Sequence, residues 1–147
     1  MTCDMLRFMK DKVVLVTGGG RGIGRAAVSL FAHAGAKIAF CARTEGERLG
    51  VERKVTAAGG IVRAFAVNIA LQREVNRMVS EIIAQWGKID LLINNAGVLG
   101  AKKTLATYPI DTWDEVIRIN VNGTFHVTQA VVREMIPARS GTILSVS

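Results

Sequence analysis

An apolar run that breaks into a glycine cluster constrains the fold of this chain more than any other stretch. Val13 to Val16 is followed by Thr17 and then by five glycines between positions 18 and 24. Helical spacing of apolar residues begins at Ile23. A buried strand, a tight turn and a helix N-terminus leave free N–H groups and the positive end of the helix dipole facing the space over the turn. The stretch therefore predicts a phosphate-binding turn.

Three known phosphate-loop patterns can be compared with the positions of these glycines. The P-loop pattern fails, because the two residues after Gly24 are Arg and Ala instead of Lys and Ser or Thr. The G-x-G-x-x-G/A dinucleotide pattern matches only residues 22–27, which start later after the strand than that motif does. The third pattern, Thr17-Gly18-x-x-x-Gly22-x-Gly24, resembles the glycine motif of the short-chain dehydrogenase/reductase family. A turn with a purely structural role is the alternative.

Composition excludes several classes of function. A chain of 147 residues, half of them hydrophobic and only two of them proline, predicts one folded domain. The net charge of +7 is spread along the chain without interleaved aromatic residues, which argues against nucleic-acid binding. The apolar runs are too short to span a membrane, and residues 1–12 lack the apolar region of a signal peptide. With only Cys3 and Cys41, we expect a reducing, cytoplasmic location and no disulfide framework. No metal site is expected.

Strand and helix patterns alternate along the chain. Strands are predicted at 13–16, 37–42, 61–67, 89–93 and 142–146. Helices are predicted from 23 to about 35, from a cap at Thr44 to Ala58, and from 75 to 86. A longer helix is predicted from a cap at Asp111 or Thr112 through Met135, and Pro137 and Gly141 are expected to end it. The alternation predicts an α/β fold with a doubly wound parallel sheet in strand order 3-2-1-4-5. Ligands bind such sheets beyond the carboxyl ends of the strands, where Thr17, the glycine turn, Arg43, Asn68 and residues 94–97 fall.

Three motifs together extend the resemblance over nearly the whole chain. Residues 17–24, Asn94-Asn-Ala-Gly97 and Asn120-Val-Asn-Gly123 follow the order found in short-chain dehydrogenases. The resemblance implies a Rossmann-type domain in which the glycine turn holds a pyrophosphate and the Asn94–Gly97 segment stabilises the central sheet and lines the nucleotide site. It also implies that Asn120 holds a water in a catalytic proton relay, whereas the alternative is a residue that bends its own helix. The implied cofactor-binding residues are Thr17, Gly18, Gly20, Arg21, Gly22, Ile23, Gly24, Arg43, Asn68, Ile69, Asn95, Ala96 and Gly97.

The end of the second strand bears on the choice of cofactor. An NAD-binding protein places an acidic residue there to accept from the ribose 2′-hydroxyl, whereas this chain has Ala42. Arg43 follows, and Arg21 lies in the glycine turn, so two guanidinium groups could bond a 2′-phosphate. We therefore expect NADP(H), the alternative being two solvated surface arginines. The family often has Asp where this chain has Asn68, whose amide oxygen can still accept from the adenine amino group.

The expected catalytic residues are missing from this chain. The resemblance implies a serine and a Tyr-x-x-x-Lys pair, but the only tyrosine, Tyr108, is followed at the fourth position by Thr112. Alignment of residues 141–147 with the family pattern places the serine one position beyond Ser147. We expect residues 1–147 to form an NADP-binding domain that is incomplete at its C-terminus, lacks strands 6 and 7, and is inactive as given.

Two hypotheses for function stay open at this point. The chain is either the cofactor-binding part of an NADP-dependent oxidoreductase, which moves a hydride between NADPH and a carbonyl or alcohol, or an inactive dinucleotide-binding fragment or regulatory remnant. The resemblance further implies that the complete protein is a homo-oligomer that packs through the long helix predicted at 111–136. The substrate would be a small molecule, with no nucleic-acid or membrane partner.

Overall fold

The computed structural model describes residues 7–147, and Cys3 lies outside this range. Five strands alternate with five helices. In chain order they are β1 (Val13–Thr17), α1 (Gly22–His33), β2 (Lys37–Cys41), α2 (Glu45–Ala57), β3 (Ile61–Phe65), α3 (Gln72–Trp86), β4 (Leu91–Asn94), α4 (Ile110–Ile117), α5 (Thr124–Ala138) and β5 (Thr142–Ser145). A π-helical segment, Arg118–Gly123, joins α4 to α5, and short 3₁₀ turns occupy Arg7–Met9 and Leu105–Thr107.

The five strands form one parallel sheet in the order β3-β2-β1-β4-β5, which confirms the predicted fold class and strand order. β1 lies at the centre, with Val14 opposite Ile38 of β2 and Leu91 of β4. All five residues of β1 are buried, because helices cover both faces of the sheet. Because β2 and β4 lie on opposite sides of β1, the direction in which strands are added to the sheet reverses beside β1, where the glycine turn begins.

The core is divided into two layers by the sheet. Val13 and Leu15 of β1 face the layer that contains the apolar sides of α3 and α5. Val14 and Val16 face the opposite layer, which contains α1 and α2. This division follows from the two-residue period of a strand, since successive side chains point to opposite faces. The uninterrupted apolar sequence of β1 is thus explained by burial on both sides.

The long helix predicted at 111–136 is present, but it contains a π-helical segment and lacks the predicted cap. The backbone stays helical from Ile110 through the π-helical segment to Ala138, and no side chain of Asp111 or Thr112 caps its start. The hydroxyl of Thr124, the first residue of α5, donates to the carbonyl of Asn120 in that segment at 2.7 Å, which satisfies an acceptor where the regular helical ladder changes. Pro137 lies inside the last turn of α5, which ends one residue later at Ala138.

The predicted cap at Thr44 is also only partly correct. Thr44 occupies the position before α2, but its side chain makes no capping hydrogen bond. The Thr44 hydroxyl is therefore not used to cap the helix that it precedes.

At the other side of the sheet, β5 forms an edge, and the side chains of Leu144 and Val146 are about half exposed.

Candidate functional site

A cleft of about 430 Å³ lies over the carboxyl ends of β1, β2 and β4. Eleven of the thirteen expected cofactor-binding residues line it: Gly18, Gly20, Arg21, Gly22, Ile23, Arg43, Asn68, Ile69, Asn95, Ala96 and Gly97. The remaining lining residues are Cys41, Ala42, Thr44, Glu47, Val67, Val98 and Ile119. Thr17, Gly24 and Asn120 do not line the cleft. The topology thus brings most of the separated sequence motifs to one place.

Thr17 and Asn95 bind the glycine turn to the end of β4. The Thr17 hydroxyl oxygen accepts from the backbone N–H groups of Asn95 and Ala96, each at 3.0 Å. In return, the Asn95 side-chain amide donates to the carbonyl oxygens of Thr17 at 3.1 Å and Gly18 at 3.2 Å. Since Thr17 is 1% exposed, its hydroxyl is committed to this connection instead of facing the cleft.

Gly24 allows helix α1 to approach the turn closely. A Cβ on Gly24 would lie 2.2 Å from the Gly18 carbonyl oxygen and 2.4 Å from Asn95 Nδ2. Both distances are far below van der Waals contact, and one of the two atoms belongs to the backbone. Gly24 therefore acts from behind the cleft, where it sets the position of the helix N-terminus.

The N-terminus of α1 has the local features that could hold an anion. Arg21, the residue before the helix, has an extended backbone and makes no side-chain cap, so the first-turn N–H groups keep no partner from that side chain. Gly22 adopts a φ of +54°, and no heavy atom lies within 4 Å of the position its Cβ would take. Free donors, the helix dipole and open space coincide here, as an anionic ligand requires.

Charged side chains gather where β2 ends. Arg21 and Arg43 are exposed at the cleft, and within residues 7–147 neither forms an ion pair. Ala42, at the strand end, carries no charge. Thr44 and Glu47 were missed by the sequence analysis, although their positions just after β2, at the start of α2, placed them at the same end of the sheet. This part of the cleft has two cations and one carboxylate.

Cys41, the cysteine that lines the cleft, is buried and poorly suited to act as a nucleophile. Cys41 is 1% exposed, and burial raises the pKa of its thiol to about 11, against the smaller opposing effects of backbone hydrogen bonds at Gly18 and at Cys41 itself. A thiol with that pKa carries almost no thiolate near neutral pH. Cys41 therefore contributes shape to the cleft and no nucleophile.

The Asn68 side chain is hydrogen-bonded within the loop that follows β3. Its side-chain oxygen already accepts from the Ala70 N–H at 3.1 Å, while its own backbone N–H donates to the Glu74 carboxylate at 2.8 Å. Among the described residues, no hydrogen-bond acceptor pairs with the Asn68 NH₂ group. The loop is further held by a 3.1 Å hydrogen bond between the His126 Nδ1 atom of α5 and the Ile69 carbonyl oxygen. The free NH₂ makes the side chain a donor toward the cleft.

Comparison with known proteins identifies the chain. The family model described as short chain dehydrogenase matches residues 12–147. The chain belongs to the short chain dehydrogenase family. It is 33% identical over 139 residues to the 3-oxoacyl-(acyl-carrier-protein) reductase FabG of Thermotoga maritima, covering 95% of this chain and 56% of that protein. The Aquifex aeolicus protein of the same name is 38% identical over 141 residues, with 95% and 56% covered. The chain thus spans about half the length of these curated relatives.

Solved structures give the same result. NAD⁺-bound xylitol dehydrogenase is similar with a TM-score of 0.90 and 36% identity, over 93% of this chain and 53% of that one. A metagenomic short-chain oxidoreductase in complex with NADP has a TM-score of 0.89 and 31% identity, over 95% and 63%. The fold and the family agree between sequence and structure.

In this short chain dehydrogenase chain, Asn120 supports the cleft from the π-helical segment. Its side-chain oxygen accepts from the Val98 N–H at 2.8 Å, and its amide nitrogen donates to the Val98 carbonyl at 3.0 Å. The alternative, in which this side chain bends the helix by bonding its own backbone, is therefore wrong. Asn120 instead fixes the segment that follows Gly97, which lines the cleft.

Asn94, the first residue of the family's second motif, is buried at the end of β4. Its amide nitrogen donates to the Thr128 hydroxyl of α5 at 2.9 Å. Its oxygen is the only buried side-chain N or O atom that lacks a partner among residues 7–147. The residue connects the central sheet to α5 and takes no part in lining the cleft.

Tyr108, the only tyrosine in the sequence, is engaged in its own loop. Its hydroxyl accepts from the Ala101 N–H at 3.0 Å, and its ring meets Trp113 edge-on with centroids 6.4 Å apart. It does not line the cleft. Tyr108 therefore holds the loop between β4 and α4 together.

Two other features are absent from residues 7–147. No group of three or more His, Cys, Asp or Glu side chains is arranged to hold a metal ion. No helix in the same range combines the length and apolar character needed to cross a membrane.

Proposed function

We propose that the cleft binds NADP(H), and that the polypeptide carrying it transfers a hydride between NADPH and a small carbonyl or alcohol. The observation that carries the cofactor choice is the pair of guanidinium groups, Arg21 and Arg43, beside the neutral Ala42 at the end of β2. A 2′-phosphate carries nearly two negative charges at neutral pH and suits two charge-assisted partners. A ribose 2′-hydroxyl would instead favour an acid at the strand end.

The other end of the dinucleotide site fits the same cofactor. The first-turn N–H groups of α1, beside Gly20 and Gly22, would hold the pyrophosphate. Asn68 and Ile69, beyond β3, would flank the base, while Asn95, Ala96 and Gly97 would flank the nicotinamide half. NADPH, when bound, supplies the hydride. Thr17 and Gly24 would act indirectly, because each of them positions backbone that lines the cleft. Asn120 would position the Val98 backbone and would hold a water in the catalytic proton relay.

The known structures do not decide the cofactor by analogy. Xylitol dehydrogenase is bound to NAD⁺ and the metagenomic oxidoreductase to NADP, at similar identity to this chain. The proposal therefore depends on the residues of this chain, above all on Arg43, which follows the strand directly.

A binding titration with charge-removing variants tests the cofactor. The dissociation constants of NADPH and NADH are measured for the wild type, Arg43→Ala and Arg21→Ala. Loss of one charge-assisted bond weakens NADPH binding about 10- to 100-fold and leaves NADH nearly unchanged. Arg53→Ala is the matched control, since Arg53 is exposed on α2 and does not line the cleft. An unchanged NADPH affinity in Arg43→Ala would overturn the cofactor assignment.

A second function is supported by the catalytic residues that the chain lacks. We infer that residues 1–147 alone form a dinucleotide-binding domain without turnover, because no Tyr-x-x-x-Lys pair is present and Tyr108 is engaged in its own loop. Mixing this chain with NADPH and a panel of carbonyl compounds should give no NADPH oxidation above background. Measurable turnover would contradict the inference.

Self-association and location complete the proposal. Large apolar side chains are more than half exposed on α4, on α5 and in the π-helical segment: Ile110, Trp113, Val121, Phe125 and Ile136. We propose that this surface packs against another subunit in the cytoplasm, where the two cysteines stay reduced. Light scattering should give a mass above 15.8 kDa for the wild type and a smaller mass for Phe125→Asp. A monomeric wild type would overturn the interface.

A further inference from the structure

Glu47 occupies a position at the cleft that the proposed function does not use. It is the third residue of α2 and lines the cleft beside Ala42 and Arg43. A Cβ on Gly20 would lie 3.2 Å from the Glu47 Cβ and 3.3 Å from its Oε2 atom. The carboxylate therefore extends back over the glycine turn instead of pointing away into solvent.

This carboxylate has no structural task among the described residues. Glu52 accepts from the Ala64 N–H at 3.0 Å, and Glu74 accepts from the Asn68 N–H at 2.8 Å, so both stabilise strand ends or loops. Within residues 7–147, Glu47 forms neither a hydrogen bond of this kind nor an ion pair. Glu45, in the same helical turn, is exposed and does not line the cleft. Glu47 is thus the acid that remains available to a ligand.

The two charge types at this end of the cleft favour different ligands. A guanidinium group binds a phosphate, whereas a carboxylate accepts a hydrogen bond from a hydroxyl and repels a phosphate. Arg21, Arg43 and Glu47 all line the cleft, and Gly20, the neighbour of Arg21, lies close to both Ala42 and Glu47. This end therefore contains a partner for each of the two groups that distinguish NADP(H) from NAD(H).

We propose that Glu47 is a specificity-determining residue that lowers the preference of the cleft for NADP(H) over NAD(H). Its carboxylate accepts from the 2′-hydroxyl of NAD(H) and weakens the attraction of the arginines for the 2′-phosphate of NADP(H). This inference rests on the proposed function. A single negative charge several ångströms from a nearly divalent phosphate, at the dielectric constant of water, reduces its affinity about five- to tenfold.

Glu47→Gln tests the proposal, with Glu45→Gln as the control that removes the same charge from the same helical turn. Dissociation constants of NADPH and NADH are measured by fluorescence titration at low and at high salt. For Glu47→Gln, we expect NADPH to bind about five- to tenfold more tightly and NADH to bind more weakly. The gain for NADPH should shrink at high salt, because exposed charges are screened. Glu45→Gln should change neither constant.

Each other outcome overturns the inference in a recognisable way. If NADPH binds but Glu47→Gln has the same ratio of NADPH to NADH dissociation constants as the wild type, Glu47 does not determine specificity. The NADP(H) assignment then stands. If Glu47→Gln weakens both dinucleotides equally, the residue has a structural role, and Glu47→Ala should then repeat that result. If the wild type binds neither dinucleotide, both this inference and the proposed function are wrong.

Discussion

Replacement of Gly24 by alanine tests how the glycine turn is built. The new Cβ would meet the Gly18 carbonyl oxygen at 2.2 Å, and that backbone atom cannot rotate away. Overpacking of this kind costs about 1–3 kcal/mol. Displacement of Asn95 Nδ2 would also weaken its hydrogen bonds to Thr17 and Gly18, at about 1 kcal/mol each. Alanine recovers about 1 kcal/mol in helix propensity, so a net loss of about 2–4 kcal/mol is expected.

Urea unfolding followed by circular dichroism measures this loss. Gly46→Ala is the matched control, because Gly46 lies in α2 and nothing is within 4 Å of its Cβ position. That variant should gain up to about 1 kcal/mol. Gly24→Ala should also lose NADPH affinity, since the N-terminus of α1 is forced away from the turn. Equal stabilities for Gly24→Ala and the wild type would refute the argument that close packing at Gly24 sets the helix position.

Three other measurements address the supports of the sheet and the cleft. Burial alone would raise the pKa of Asp90, but the Val13 N–H and the ammonium groups of Lys88 and Lys12 lower that pKa below its ordinary value. The stabilisation from Asp90 is therefore complete above the unfolded pKa and is lost as the pH falls through the folded pKa. Asp90→Asn should therefore flatten the acid limb of stability against pH in urea titrations. Asn120→Ala removes two hydrogen bonds to Val98 and should reduce the free energy of unfolding by about 1–3 kcal/mol. In a Cys3→Ser background, Cys41, with a pKa of about 11, should react with a thiol reagent only as fast as the chain unfolds.

Each of these three predictions has a control variant or an outcome that would contradict it. An unchanged acid limb in Asp90→Asn would show that the carboxylate contributes nothing to stability in that range. Asn122→Ala removes an exposed side chain from the same π-helical segment and should leave stability within about 0.5 kcal/mol of the wild type. Rapid labelling of Cys41 under native conditions would mean that this end of the cleft opens locally.

Sequence patterns predicted the strand order, because each apolar run had a clear period and a glycine or capping residue at its boundary. They also predicted most of the cleft, since residues that follow parallel strands must meet at one edge of the sheet. The π-helical segment between α4 and α5 could not be predicted from local patterns. Asn120, which lies in it, bonds Val98 across 22 residues of sequence, and helical periodicity does not report such a contact. Glu47 was missed for a related reason: its role depends on side-chain direction, which helical periodicity does not report.

The bonds that join Thr17, Gly18 and Asn95 have a consequence for how quickly a dinucleotide is captured. The phosphate end of the cleft is assembled by hydrogen bonds within the protein, so ligand arrival requires no ordering of this loop. Association should then be a single bimolecular step, with a rate that rises at low ionic strength because of Arg21 and Arg43. The heat-capacity change of binding should be small and should reflect only the surface that the ligand covers, without a folding component. In stopped-flow experiments, we expect a single exponential phase whose observed rate constant rises linearly with NADPH concentration.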